Sequence, residues 1–306
     1  MHEGIHNEMS RAIIKALLYS DIFQYPLTAE EILKRLEIPC NDIEAIKLEL
    51  GHLVKTRVLF LFGDFYSLHD DVSLALRRSA GNKMANDIMP LATRRARLIF
   101  SFPFVQAVLI SGSLSKNFLD KKGDIDFFII TKPGRVWLTR GLLALYQRIA
   151  LFNSHKYFCV NYYIDDKHLE LDEQNIFTAT ELTTVQPICG YEHYLKLIGD
   201  NPWIKDYYPQ FRPTGFTSHK RFALFPKSLF ERMLGPFAAH LDAFVMRELT
   251  RRARRLHAHK FEKLDFDVAF KAAPHVSKNH IGNYQRKITD RFNQRVRSFF
   301  SEMVTQ

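Results

Sequence analysis

Apolar residues recur at helical spacing three times near the start of the chain. Residues 10–20 present one apolar face, and the next two segments begin with capping-box patterns at Thr28–Glu31 and Asn41–Glu44. Two short apolar runs around a Gly-Asp turn follow over residues 57–68 and predict a β-hairpin. Three helices and a hairpin predict a winged helix-turn-helix domain over residues 1–72.

The third of these helices would be the recognition helix if the domain bound DNA. It carries Asp42, Glu44 and Glu49 against Lys47 and Lys55. A helix in the major groove approaches phosphates and usually presents a basic surface. The mixed charge therefore favours packing or protein contact over DNA binding.

The remaining pattern predicts an α+β fold. Residues 73–100 form a connecting helix, and residues 101–211 alternate strand-like apolar runs with a helix, which is typical of a mixed sheet with helices. Residues 212–306 contain a long amphipathic segment, 228–255, and a final helical stretch. This last part is expected to be mainly helical.

Small and acidic residues follow the central apolar runs. The run ending at residue 110 leads into Gly112 and Ser113, and Asp124 and Asp126 precede the next run. On a strand, alternate side chains share a face. The two aspartates are therefore expected to point together, on a strand, while Ile125 faces the core.

Two neighbouring carboxylates repel each other unless a cation lies between them, and Mg2+ prefers such oxygen ligands. Gly112 lacks a Cβ and lets backbone N–H groups approach a phosphate. Ser113 adds a hydroxyl at the expected start of a helix, where anions are favoured. The pattern therefore indicates a metal–phosphate site.

The order of an apolar strand, Gly-Ser, about ten residues and Asp-x-Asp resembles the signature of the DNA polymerase beta-type nucleotidyltransferase superfamily. The resemblance implies a nucleotidyltransferase-type fold and transfer of a nucleoside monophosphate from a nucleoside triphosphate to a hydroxyl of an acceptor, with Mg2+ or Mn2+ as cofactor. By position, Gly112 and Ser113 match residues that cradle phosphate, and Asp124 and Asp126 match the catalytic metal ligands.

Two positions stay open. The resemblance implies a third carboxylate on a later strand, which helps to deprotonate the attacking hydroxyl. In the strand-like segment 157–164, Asn161 holds the central polar position as a cofactor-binding candidate, and Asp165 at the end is the catalytic candidate. If Asn161 occupies the acid position, turnover is expected to be slow or absent. Lys116 either contacts phosphate or is a solvated surface lysine.

The charge is unevenly distributed. The chain carries a net +10, and residues 212–306 contain 19 Lys or Arg against 8 Asp or Glu. An anionic partner such as nucleic acid is expected at this C-terminal region. Arg251, Arg252, Arg254 and Arg255 either close a helix or contact such a partner.

Composition narrows the class and the compartment. Three separated cysteines, with no metal-ligand spacing, predict neither a disulfide framework nor a structural zinc site. The sequence shows no apolar stretch long enough to span a membrane and no basic N-terminal region before an apolar core. A cytoplasmic protein is expected.

The polar run Ser277–His280 either borders the active site or starts the last helix.

Three functions are compatible with these patterns. The first is the nucleotidyltransferase, with a small molecule, RNA or protein as acceptor. The second is a nucleotide-binding regulatory protein with weak or no catalysis that contacts nucleic acid or a partner protein. The third, a plain DNA-binding regulator, leaves the Gly-Ser and Asp-x-Asp residues unexplained.

Overall fold

The computed structural model describes residues 7–150, 157–215, 227–257, 271–278 and 284–304. Its helices are α1 (Glu8–Asp21), α2 (Ala29–Lys34), α3 (Ile43–Lys55), α4 (Val72–Phe100), α5 (Gly112–Ser115), α6 (Val136–Ala150), α7 (Ile176–Thr184), α8 (Tyr191–Gly199), α9 (Ile204–Tyr207), α10 (Lys227–Leu234), α11 (Ala238–His257) and α12 (Tyr284–Val304). Its strands are β1 (Phe60–Phe62), β2 (Phe65–Ser67), β3 (Val105–Ser111), β4 (Asp126–Thr131), β5 (Cys159–Asp165), β6 (Gln186–Cys189), β7 (Ala272–Ala273) and β8 (Val276–Lys278).

The N-terminal unit contains the expected three helices and a hairpin around one apolar core. Thr28 and Glu31 form the predicted capping box at the start of α2. The cap of α3 differs from the prediction: Asp42, one residue after Asn41, accepts the backbone N–H groups of the first turn. The shift of one residue reflects the fact that both side chains are good caps, and the backbone conformation selects between them.

The helix α4 links this unit to the rest of the chain. Its first turns contact the N-terminal unit, where the guanidinium of Arg78 bonds Glu31 and lies 3.7 Å from the centre of the Tyr25 ring. Its later turns pack against β3 and β6. The predicted connecting helix is therefore part of the central apolar core, and it contacts the N-terminal unit through Arg78.

A mixed sheet forms the centre of the molecule, in the order β6-β3-β4-β5-β8-β7. Neighbouring strands are antiparallel except β4 and β5, which are parallel and joined through α6. One face packs against α4 and α6, and the other against α7, α8 and α9. Ile125 and Phe127 are fully buried on the first face, as the alternation predicted.

The C-terminal region is largely helical, but it also supplies β7 and β8 to the edge of the sheet. The expectation of a mainly helical region missed these strands, because two or three residues are too few to show an alternating pattern. In this region α11 packs against α6, and α12 packs against α1 and α7. The ring of Phe292 on α12 contacts that of Tyr19 on α1.

None of the helices in the described ranges has both the length and the apolar content that crossing a bilayer requires.

The ion pair of Arg78 with Glu31 is expected to hold α4 on the N-terminal unit. The Arg78 side chain is only 3% exposed, and it also donates to the carbonyl of Pro26 at 3.0 Å. Arg78→Ala leaves the Glu31 carboxylate without its partner and should lower the free energy of unfolding by about 3 kcal/mol. Urea unfolding followed by circular dichroism measures the change. The exposed Arg94 on the same helix is the control, and equal effects of Arg94→Ala and Arg78→Ala would contradict the expectation.

Candidate functional site

The Gly-Ser turn lies directly against the second aspartate of the Asp-x-Asp pair. The strand β3 ends at Ser111, and Gly112 turns the chain with a φ of +67°, a conformation that favours glycine. A Cβ at Gly112 would overlap the Oδ2 atom of Asp126. Glycine is therefore required here both for its backbone conformation and for the close approach of the carboxylate.

The helix after this turn is shorter than expected. It comprises only four residues, Gly112–Ser115, so a helix dipole adds little at Ser113. What the turn offers is close backbone approach at Gly112 and the hydroxyl of Ser113.

Asp124 and Asp126 line one cavity of about 450 Å³. We refer to it as the acidic cavity, defined by Asp124, Asp126, Glu173 and Glu181 together with Asn161 and Lys278. The strand β4 begins at Asp126, so Asp124 lies in the preceding loop rather than on the strand. The loop nevertheless brings both carboxylates to the same cavity, where Gly112 is part of the wall.

Asn161 is the strand residue that contacts Asp126. Its Nδ2 atom donates to Oδ1 of Asp126 at 2.6 Å, and its Oδ1 atom lies 3.3 Å from the thiol of Cys159. The register shifts at this point, because Phe127 pairs with Val160 while Phe128 pairs with Tyr162. The bulge is what places the Asn161 amide beside the acid.

Asp165 lies at the opposite end of the same strand. It pairs with Thr131, five residues along β4 from Asp126, which corresponds to roughly 16 Å. Its buried carboxylate accepts the backbone N–H groups of Gly134 and Lys167 and contacts the ring of His168. The expectation that Asp165 reaches the site is therefore wrong, since it is too far along the strand and is bound elsewhere.

A third carboxylate comes from a helix instead. Glu181, on α7, lines the acidic cavity and accepts a hydrogen bond from Lys116 at 2.8 Å. Lys116 also donates to the carbonyl of Gly112 at 3.0 Å and is 19% exposed, so it is not a solvated surface lysine. The sequence did not point to Glu181, because α7 is distant in sequence from the Gly-Ser and Asp-x-Asp residues and shows no motif around this residue.

The acidic cavity raises the pKa of Asp126 to about 7. Burial is the main cause, and the negative charges of Glu181 and Asp124 add to it, while Lys116 acts in the opposite direction. Burial and the neighbouring Asp126 and Asp124 charges likewise raise the pKa of the Cys159 thiol to about 12. The protonated thiol suits the contact with the Asn161 oxygen, which leaves the amide N–H group for Asp126.

Among the described residues that line the acidic cavity, one is basic. Lys278, on β8, is 8% exposed, donates to Gln285 at 3.0 Å and lies 3.5 Å from Glu173. Burial lowers the pKa of its ammonium. The polar run that begins at Ser277 thus borders the cavity on a strand, while its last two residues, Asn279 and His280, lie outside the described residues.

The side chains of the acidic cavity can supply only some of the ligands that a hard divalent cation needs. No group of three or more His, Cys, Asp or Glu side chains within the described part of the chain is arranged to hold a metal ion. Mg2+, however, is commonly held by one or two carboxylates together with water and substrate phosphates. Asp124 and Asp126 meet that lower requirement, and a cation between them would offset the repulsion of their neighbouring charges.

Comparison with known proteins does not place the chain in a family. No protein-family model, no curated protein and no solved structure matches the chain.

The raised pKa of Asp126 predicts a pH-dependent stability in metal-free buffer. Between about pH 4 and pH 7 the folded state keeps a proton that the unfolded state has lost, so the free energy of unfolding falls as pH rises. In the Asp126→Asn variant this proton is absent from both states, so the free energy of unfolding should not fall in this way. The free energy of unfolding of the variant, relative to that of the wild type, should therefore increase by up to about 4 kcal/mol between pH 4 and pH 7, as measured by urea unfolding with EDTA. A difference between the two proteins that stays constant from pH 4 to pH 8 would contradict the prediction, and Asp64→Asn in the exposed hairpin turn is the control.

Proposed function

We propose that the protein is a metal-dependent nucleotidyltransferase that moves a nucleoside monophosphate from a nucleoside triphosphate to the hydroxyl of an acceptor. The observation that carries the proposal is the contact of the Gly112 turn with Asp126, in a cavity that Asp124 also lines. The resemblance of the sequence implied this juxtaposition of a phosphate-binding turn and a carboxylate pair. Its fold implications, an N-terminal winged helix and a nucleotidyltransferase-type sheet, belong to the same proposal.

In this proposal Asp124 and Asp126 hold Mg2+ or Mn2+. The ion supplies Lewis-acid stabilisation of phosphate charge when it is bound. Gly112 gives the phosphates close access to the backbone, whereas Ser113 does not line the acidic cavity and borders the space on the other side of the turn. Lys278 adds a positive charge to a cavity wall that otherwise repels phosphate.

A second candidate function rests on the Asn161 amide. The position beside Asp126 where the resemblance implies a carboxylate holds a neutral group that donates to Asp126. An amide neither carries the charge of a third metal ligand nor accepts a proton from the attacking hydroxyl. This favours a nucleotide-binding regulatory protein with weak or no catalysis, built on the same site.

The acceptor and any nucleic-acid partner stay predictions. The four arginines near the end of α11 are exposed, and Arg251 pairs with Glu248. They lie on a helix that packs against α6, outside the acidic cavity. If RNA or DNA binds this protein, we propose that it binds along this helix.

The first test of the proposed function is nucleotide binding. Titration calorimetry with ATP, CTP, GTP and UTP should show binding of at least one nucleotide that is strengthened by Mg2+. The double variant Asp124→Asn, Asp126→Asn should lose most of the Mg2+ dependence, because both proposed ligands lose their charge. Asp64→Asn is a matched control at an exposed turn. Mg2+-dependent binding that survives in the double variant would show that the site has been misplaced.

A second test separates the transferase from the regulatory protein. Asn161→Asp supplies a carboxylate beside Asp126. It should increase transfer of α-labelled nucleotide to acceptors in a cell extract by tenfold or more, as expected for an added catalytic base. Asn117→Asp, in the turn after α5, is the control. Equal labelling by wild type and Asn161→Asp would count against Asn161 as the reason for slow turnover, and no labelling by either would favour the regulatory protein.

A further inference from the structure

A second cavity lies on the other side of the Gly112 turn. It has a volume of about 260 Å³, and we refer to it as the aromatic cavity. Four rings and two guanidinium groups characterise its wall: Tyr19, Phe23, Tyr25, Phe118, Arg35 and Arg77. The six residues come from α1, the loop after it, the C-cap of α2, α4 and the loop after α5.

The rings and guanidinium groups are held in fixed positions. Tyr25 and Phe118 pack edge to face at 5.7 Å between ring centres, and the Arg77 guanidinium lies 4.8 Å from the centre of the Phe118 ring. Arg77 also donates to the carbonyl of Gln24, and Arg35 donates to the hydroxyl of Ser20. The cavity is therefore a preformed slot with aromatic and cationic walls, which suits a planar aromatic group.

The two cavities share three residues, Phe23, Gly112 and Glu181. The aromatic cavity is also lined by Ser113 and Lys116, which follow the shared turn. One molecule with a planar aromatic ring and a phosphate chain can thus occupy both spaces across the turn. Their combined volume lies within the range of roughly 300–1,000 Å³ that is usual for small-molecule sites.

We propose that the aromatic cavity binds the nucleobase of the nucleotide whose phosphates occupy the acidic cavity, an inference that rests on the proposed function. The N-terminal unit would then contribute directly to nucleotide binding. Phe23 is the best position at which to test this assignment, because it borders both cavities. Since Phe23 is 43% exposed, its replacement should not unfold the protein.

The experiment uses the full chain, Mg2+ and two probes. One probe is whichever of ATP, GTP, CTP and UTP binds most tightly, and the other is inorganic tripolyphosphate, which has no base. Phe23→Leu removes the ring and keeps an apolar side chain. It should raise the calorimetric Kd for the nucleotide about tenfold, because stacking on one aromatic side chain is lost. The Kd for tripolyphosphate should stay within twofold of the wild-type value.

Two further variants test the chemistry of the contact. Phe23→Tyr keeps an aromatic ring and should retain the wild-type Kd for the nucleotide. Phe244→Leu, at a similarly exposed phenylalanine on α11, is the matched control and should change neither Kd. Thermal unfolding by circular dichroism verifies that all variants are folded.

The outcomes separate this inference from the proposed function. If wild type binds the nucleotide and tripolyphosphate, but Phe23→Leu leaves the nucleotide Kd unchanged or weakens both probes equally, the nucleobase assignment is overturned and the proposed function stands. If wild type binds neither probe, the proposed function itself fails. The nucleobase assignment is supported if Phe23→Leu raises the Kd for the nucleotide but not for tripolyphosphate, and if Phe23→Tyr binds the nucleotide with the wild-type Kd.

Discussion

The close approach of the Gly112 backbone to the Asp126 carboxylate is the constraint on which the rest of the site depends. A side chain at position 112 would displace the acid, and any other residue would also be strained at a φ of +67°. The antiparallel pairing of β3 with β4 fixes this approach, since Ser111 lies opposite Asp126 in the register. The backbone hydrogen bonds between these two strands therefore hold the turn next to the carboxylate, and flexible side chains are not needed for this contact.

That arrangement has an electrostatic cost, which the surroundings only partly offset. Asp126 lies near the negative charges of Asp124 and Glu181, and the Asn161 amide, the Cys159 thiol and the charge of Lys116 offset part of this repulsion. Lys116 is itself held by Glu181, so a single cation serves two carboxylates. A site with this imbalance favours binding of a further cation, and a divalent ion brought by a polyphosphate meets that need.

The sequence predicted the parts of the structure that depend on local patterns. The capping box of α2, the α+β class and the burial of Ile125 and Phe127 were all visible, because periodicity and capping act over a few residues. The contribution of Glu181 was not visible, and the choice between Asn161 and Asp165 stayed open. The first depends on where α7 packs, and the second on a bulge between β4 and β5, and both are set by contacts between distant segments.

Contacts between distant segments also bring the N-terminal unit to the cavities around the Gly112 turn. Its helices were interpreted from their charge as a packing or protein-contact module. In the folded chain, Tyr25 donates to the carbonyl of Lys116, and Phe118, just after α5, is buried in the N-terminal apolar core. The turn that carries Gly112 is therefore anchored on both sides, by β3 within the sheet and by the N-terminal unit beyond it. The N-terminal unit therefore supplies part of the wall of the aromatic cavity and also holds the segment that follows the Gly112 turn, at the point where the two cavities meet.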